Sequence, residues 1–113
     1  MARKSETIPV TESSGNVFTD LGVREPEEEL AKALLASHIR RAIKGQRLTQ
    51  AAAARITRTD QPKISALMAG RLTGFSSDRL LRLLTALGQD VDIVVRAVPR
   101  PGSPGHIRVV AAA

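Results

Sequence analysis

Apolar residues recur at steps of three and four positions along most of the chain after residue 25, and this spacing places them on one face of an α-helix. In the first such segment, Pro26 suits an opening helical turn because it has no N–H that would go unpaired there. Gly45 is a plausible end for this segment. The pattern predicts four helices, over residues 26–44, 50–56, 61–69 and 77–87.

The residues that precede the later helices favour helix starts. Thr49 and Asp60 carry side-chain oxygens that can accept hydrogen bonds from first-turn N–H groups, and either Ser76 or Ser77 can do the same for the last helix. Residues 51–54 of the second helix are all alanine, which favours a helix and lets a neighbouring helix approach closely. A cluster of small, closely packed helices is therefore predicted.

Near the C-terminus the spacing of apolar residues changes to two. Val91, Ile93 and Val95 alternate with their neighbours as in a β-strand, and residues 107–110 form a second short apolar run. A stretch rich in proline and glycine separates the two runs and favours a turn. We therefore predict a C-terminal β-hairpin and tail over residues 91–113.

The composition argues against several classes of protein. The chain has 113 residues, enough for one domain, with no cysteine and two histidines, so we expect neither a disulfide nor a metal site. It has no apolar run long enough to span a membrane and no secretion signal at its start, so we expect a cytoplasmic protein without membrane contact. It also lacks a Ser-His-Asp set and a phosphate-binding glycine loop, so we expect no enzyme, no catalytic residue and no cofactor.

Positive charge is concentrated in the middle of the chain. The net charge is +6, but residues 1–29 contribute −4, residues 30–82 contribute +9 and residues 83–113 contribute +1. A basic segment of this kind is typical of proteins that bind a polyanion. The acidic residues 1–24 show no sustained apolar spacing, and we predict that they form a flexible N-terminal arm.

Two short predicted helices separated by about three residues indicate a helix-turn-helix. Its sequence, from LTQA at 48–51 to ISALMAG at 64–70, resembles the XRE family of phage-repressor-like DNA-binding domains. The stretch DQPKISALM at 60–68, followed by GRLTGFS at 70–76, is similar more narrowly to the HigA-type antitoxin branch of that family. The segments SGNVF at 14–18 and LGQDV at 87–91 fit the same branch.

The resemblance implies a mainly α fold, a phage-repressor-like helix-turn-helix bundle of four to five helices, to which the predicted β-hairpin is added. The DNA-binding domain would cover residues 25–90. The resemblance also implies a homodimeric repressor of its own promoter that neutralises a RelE-like ribonuclease toxin. The chain departs from the family at the turn, where Arg58 replaces the usual glycine and Thr57 and Thr59 replace apolar residues. Because arginine tolerates a positive φ poorly, we expect a looser turn, at a cost of about 1 kcal/mol.

In helix-turn-helix proteins the first half of the second helix faces base edges in the major groove of double-stranded DNA. On this chain Ile64 and Leu67 are expected to face inward, so the outward residues become candidates for DNA contact. The candidate base contacts are Gln61, Lys63, Ser65 and Ala66, and the candidate phosphate contacts are Gln50, Arg71, Thr73, Ser76 and Ser77.

Each of these residues also has a plainer interpretation. Gln61 and Lys63 could be solvent-exposed residues of a first turn, Ser65 and Ala66 could serve packing alone, and Gln50 could belong to a helix cap. The cations at the end of the first helix favour a solvated helix end, where positive charge matches the helix dipole, over a contact with DNA. They are Arg40, Arg41, Lys44 and Arg47.

Three functions remain open from the sequence. The chain could be an antitoxin, a stand-alone regulator of the same fold without a toxin, or a protein-interaction module that keeps the helix-turn-helix scaffold. Either the C-terminal hairpin or the leucine-rich helix at 77–87 could form the dimer surface.

Overall fold

The computed structural model describes residues 19–112, with side chains from residue 26 onward. The chain divides into two compact units, and the boundary lies between Leu30 and Ala31, inside the first helix. The described residues form four helices, as predicted: α1 (Thr19–Gly45), α2 (Gln50–Thr57), α3 (Gln61–Met68) and α4 (Ser77–Ala86).

The predicted start of α1 was wrong by seven residues. The helix begins at Thr19, and Pro26 lies inside it rather than in its first turn. Pro26 has no N–H to donate to the carbonyl of Gly22, so the helix continues through this point with one backbone bond fewer. The flexible arm predicted over residues 1–24 lies outside the described residues as far as position 18, while residues 19–24 belong to α1.

One core of aliphatic side chains holds the unit that begins at Ala31. α2 packs against both α3 and α4, and Ala53 is fully buried, so the absence of a larger side chain there permits close approach. Outside the helices, Phe75 joins the same core from the loop before α4. The largest fully buried side chains are Ile39, Ile43, Ile64, Leu67 and Leu80.

All four helices end in the same backbone arrangement. A residue with positive φ follows each helix, and the N–H of the next residue donates to the carbonyl five positions back at 2.8–3.0 Å. Glycine takes this conformation after α3 and α4, at Gly70 and Gly88. Arginine takes it after α1 and α2, at Arg47 (φ 55°) and Arg58 (φ 56°). Gly45 therefore ends α1 without adopting the left-handed conformation.

A side-chain hydrogen bond ties the loop after α1 to the end of α4. The Gln46 Nε2 amide donates to the carbonyl oxygen of Leu87 at 2.7 Å, across 41 residues of sequence. Leu87 is itself buried in the core. The point from which the C-terminal segment leaves the helices is thereby fixed against α1 and α4.

The predicted C-terminal β-hairpin was wrong. The chain turns at residues 99–102, where the N–H of Ser103 donates to the carbonyl of Arg100 at 3.3 Å, but no strand forms among the described residues. Three prolines between positions 99 and 104 have no N–H for a ladder, and eleven residues, 96–106, separate the two apolar runs. Val91 and Val109 pack on the helical core instead. Within the described part of the chain, no helix is long and apolar enough to cross a membrane.

Candidate nucleic-acid interface

The helix-turn-helix consists of α2 and α3 joined by residues 58–60, and the two helices pack against each other. Arg58 has the positive φ that the departure from glycine implied. The turn is nevertheless closed, because the N–H of Thr59 donates to the carbonyl of Ala54 at 2.9 Å and Thr59 is buried. The turn therefore closes with a backbone hydrogen bond, and its one residue with positive φ, Arg58, is exposed.

Both threonines of the turn satisfy their hydroxyl groups locally. The Thr57 hydroxyl donates to the carbonyl of Ala53 at 2.7 Å, and the Thr59 hydroxyl donates to the carbonyl of Thr57 at 3.3 Å. A buried hydroxyl without a partner would cost free energy, and these bonds remove that cost. Threonine can therefore stand where the family usually has an aliphatic residue, with its methyl group still available for packing.

The cap at Asp60 sets the start of α3. The Asp60 Oδ1 atom accepts a hydrogen bond from the N–H of Lys63 at 3.0 Å, and Pro62 lies in the first turn, both as predicted. Ile64 and Leu67 are completely buried, which confirms that they face inward. The opposite side of α3 is therefore the side that reaches solvent.

The four candidate base contacts on α3 differ in exposure. Gln61 and Lys63 are exposed, in the first turn, where a helix can enter the major groove. Ser65 and Ala66 are half-buried. The structure therefore leaves the two long polar side chains free to extend outward, while the two small residues lie closer to the body of the protein.

A groove of about 350 Å³ lies between α3, from its cap to Ala66, and the loop that precedes α4. It brings together three candidates, Lys63, Ala66 and Thr73, which come from both sides of the groove. It does not include Gln50, Gln61, Ser65, Arg71, Ser76 or Ser77. Asp60, Pro62, Gly74 and Phe75 complete its lining and were not predicted as part of the site.

The candidate phosphate contacts are all exposed, but they lie at different places on the surface. Gln50 begins α2 directly after its cap, Thr49, whose hydroxyl accepts a hydrogen bond from the N–H of Ala52 at 3.0 Å. Ser76 caps α4 by accepting from the N–H of Arg79 at 3.1 Å, which leaves Ser77 in the first turn. The Ser76 hydroxyl proton stays available to a phosphate oxygen. Arg71 and Thr73 lie in the loop between α3 and α4.

Arg40 has a structural role that the sequence analysis missed. Its guanidinium Nη1 donates to the carbonyl of Leu67 at 3.2 Å, and the side chain is half-buried, whereas Arg41, Lys44 and Arg47 are exposed as predicted. The bond links α1 to the last turn of α3. Sequence spacing carries a signal for this contact, because Arg40 lies four residues after Ala36 on the apolar face of α1.

The surface around α2 and α3 is basic. Between residues 49 and 76 the chain has four cations and one acid, and all five are exposed. The acid, Asp60, accepts a backbone hydrogen bond at the start of α3, where a negative charge matches the helix dipole. The four cations are Arg55, Arg58, Lys63 and Arg71.

Comparisons with known proteins agree with this geometry. A family model described as a helix-turn-helix domain matches residues 17–96, well over half of the chain. A solved structure named "Putative XRE Family Transcriptional Regulator" is similar at 48% identity and a TM-score of 0.72, over 78% of this chain and 99% of that one. No curated protein matches the chain significantly. From the α2–turn–α3 geometry, the family model and this likeness together, the chain belongs to the XRE family of helix-turn-helix DNA-binding proteins.

Proposed function

We propose that the protein is a sequence-specific transcriptional regulator that binds double-stranded DNA by laying α3 in the major groove. The observation that carries the proposal is the two-sided character of α3. Ile64 and Leu67 are completely buried, while Gln61 and Lys63 extend from the exposed side of the first turn. The regulator named in the similar solved structure supports the same role. The proposal assigns no catalytic residue and no cofactor.

Side-chain chemistry gives each exposed residue a distinct part. The Gln61 amide can form paired hydrogen bonds with N6 and N7 of adenine, and the Lys63 ammonium can donate to guanine or to a phosphate. Ala66, on the groove, can contact a thymine methyl group. Gln50, Arg71, Thr73, Ser76 and Ser77 would hold the sugar-phosphate backbone and so set the position of α3 along the duplex.

The test is DNA binding by Gln61→Ala and Lys63→Ala, measured by fluorescence anisotropy on the duplex upstream of the gene and on a scrambled duplex. Each base contact should contribute about 1–3 kcal/mol, so each substitution should weaken binding to the upstream duplex roughly five- to 150-fold and reduce its preference over the scrambled one. If Lys63 binds only phosphate, its substitution should weaken binding to both duplexes alike. The slope of log affinity against log salt concentration should then become shallower by about one.

Lys44→Ala is the matched control for Lys63→Ala, because Lys44 is also an exposed helical lysine and its loss changes the net charge equally. Lys44 lies at the end of α1 rather than on α3, so its substitution should leave the preference between duplexes unchanged. Unchanged affinity and unchanged preference in both α3 variants would refute the contact model. Failure of the wild-type protein to bind any duplex at low salt would favour an interaction module instead.

The resemblance supports a narrower proposal, in which the regulator is a homodimeric repressor and the antitoxin of a type II toxin–antitoxin pair with a RelE-like toxin. The residues that carry it are DQPKISALM at 60–68 and GRLTGFS at 70–76. A neighbouring gene for a basic protein of about 100 residues, the size of one small domain, should then exist. Its product should bind this chain in a pull-down and stop cell growth when expressed alone. If no such product binds, the protein is a stand-alone regulator.

A further inference from the structure

The segment after α4 exposes a run of aliphatic side chains that no element of the described chain covers. Ile93, Val94 and Val95 are 74%, 67% and 90% exposed, and Val110 is 83% exposed. Isolated exposed aliphatic residues are ordinary, but three in succession are uncommon on a soluble surface. They belong to no strand among the described residues, so their N–H and C=O groups can pair with another chain.

The charges that flank this run have a two-fold pattern. In DIVVR at 92–96, Asp92 lies two residues before Val94 and Arg96 lies two residues after it. Both charged residues are exposed. In an antiparallel pair of identical strands centred on Val94, each Asp92 lies directly opposite Arg96 of the other copy, and Ile93 lies opposite Val95. The segment is thus complementary to itself in charge, and its apolar residues lie opposite one another.

We propose that residues 92–96 of two copies of this chain pair as antiparallel strands about a two-fold axis through Val94. A two-fold interface requires that residue i contact residue j while j contacts i, and the arrangement Asp92–Val94–Arg96 meets this condition. The pairing supplies the ladder that the predicted intramolecular hairpin lacks. Cross-strand charge pairs and aliphatic pairs are the units that stabilise such a sheet.

A second copy fits this surface better than an unrelated partner, because an unrelated partner would have no reason to match the symmetric charge pattern. The segment is also accessible to a second copy, because residues 92–96 are all exposed. The inference specifies the homodimer of the proposed function, but its tests need no DNA.

Charge exchange tests the register. Asp92→Arg alone places arginine opposite Arg96, and Arg96→Asp alone places aspartate opposite Asp92, so each should weaken the dimer roughly tenfold or more in sedimentation equilibrium at low salt. The double variant restores opposite charges and should recover most of the wild-type affinity. Asp90→Arg, an exposed change of the same kind outside the pattern, should have little effect. Helical circular dichroism checks that each variant is folded.

Cysteine cross-linking tests the axis, since the natural chain has no cysteine. Residues directly opposite in antiparallel strands have Cα atoms about 4.5–5.5 Å apart, within the range of a disulfide, so Val94→Cys should give a covalent dimer under mild oxidation. Ile93→Cys should not give a covalent dimer, because Ile93 lies opposite Val95 of the other copy and the two introduced cysteines would be two positions out of register. A monomeric wild-type protein, or equal dimers from both cysteine variants, would overturn the pairing. Loss of DNA binding in the α3 variants with the dimer intact would bear only on the proposed function.

Discussion

Replacing Arg58 with glycine should stabilise the protein, which makes it a direct test of strain in the helix-turn-helix. Arg58 follows α2 with φ 56° and ψ 41°, in the left-handed region. Its side chain is exposed, so its removal should cost little packing. The same arrangement after α3 and α4 uses Gly70 and Gly88, which shows what an unstrained version of this helix end looks like in the same molecule.

Two opposing terms set the size of the gain. A residue with a Cβ in the left-handed conformation costs about 1–2 kcal/mol, which glycine avoids. Glycine gives the unfolded chain more freedom, which returns about 0.5–1 kcal/mol. The free energy of unfolding of Arg58→Gly should therefore rise by about 0.5–1 kcal/mol. For a domain of this size the midpoint of thermal unfolding should rise by about 2–8 °C.

Urea denaturation followed by circular dichroism at one protein concentration measures the change. Arg58→Ala is the first control, since it removes the charge but keeps the Cβ, and it should leave stability almost unchanged. Arg41→Gly is the second, because Arg41 is exposed inside α1, where glycine should cost about 1 kcal/mol. Strain at Arg58 is refuted if Arg58→Gly is no more stable than Arg58→Ala, or if both glycine variants lose stability alike.

Two further substitutions test contacts of α3, with the free energy of unfolding as the measure. Asp60→Ala removes the cap that accepts a hydrogen bond from the Lys63 N–H, and it should lower the free energy of unfolding by about 1 kcal/mol. Asp90→Ala, at an exposed position outside the helices, should lower it by almost nothing. Equal effects of the two substitutions would argue against the cap. Arg40→Met leaves the Leu67 carbonyl without its guanidinium donor and should cost about 1 kcal/mol or more. Lys44→Met, at an exposed position on the same helix, should leave the free energy of unfolding almost unchanged. A loss of stability in both variants would point to general charge effects.

The helices could be predicted because their signals are local. A cap such as Asp60 acts on an N–H three residues away, and apolar spacing identifies the buried face within a single helix, as Ile64 and Leu67 show. The start of α1 could not be predicted in this way, because Pro26 is compatible both with a first turn and with the interior of a longer helix that has lost one hydrogen bond.

The strand prediction failed because alternation shows only that a segment could pair. Val91, Ile93 and Val95 have the spacing of a strand, but a ladder needs a second backbone at the correct register, and none of residues 19–112 supplies one. The site was predictable in part for a similar reason. The exposed side of α3 followed from spacing, whereas the groove depends on how Phe75 and its loop return to the helix, and this is a tertiary relation.

The short tether between the end of α4 and the C-terminal segment has a geometric consequence for the operator. Gln46 holds the Leu87 carbonyl in place, and only six residues lie between Leu87 and Val94. In a dimer joined at Val94, the distance between the two copies of α3 would then vary little. Half-sites read by such a dimer must recur on one face of the duplex, about 10–10.5 base pairs or a multiple of that apart, so inserting five base pairs between them would turn one half-site away from the protein.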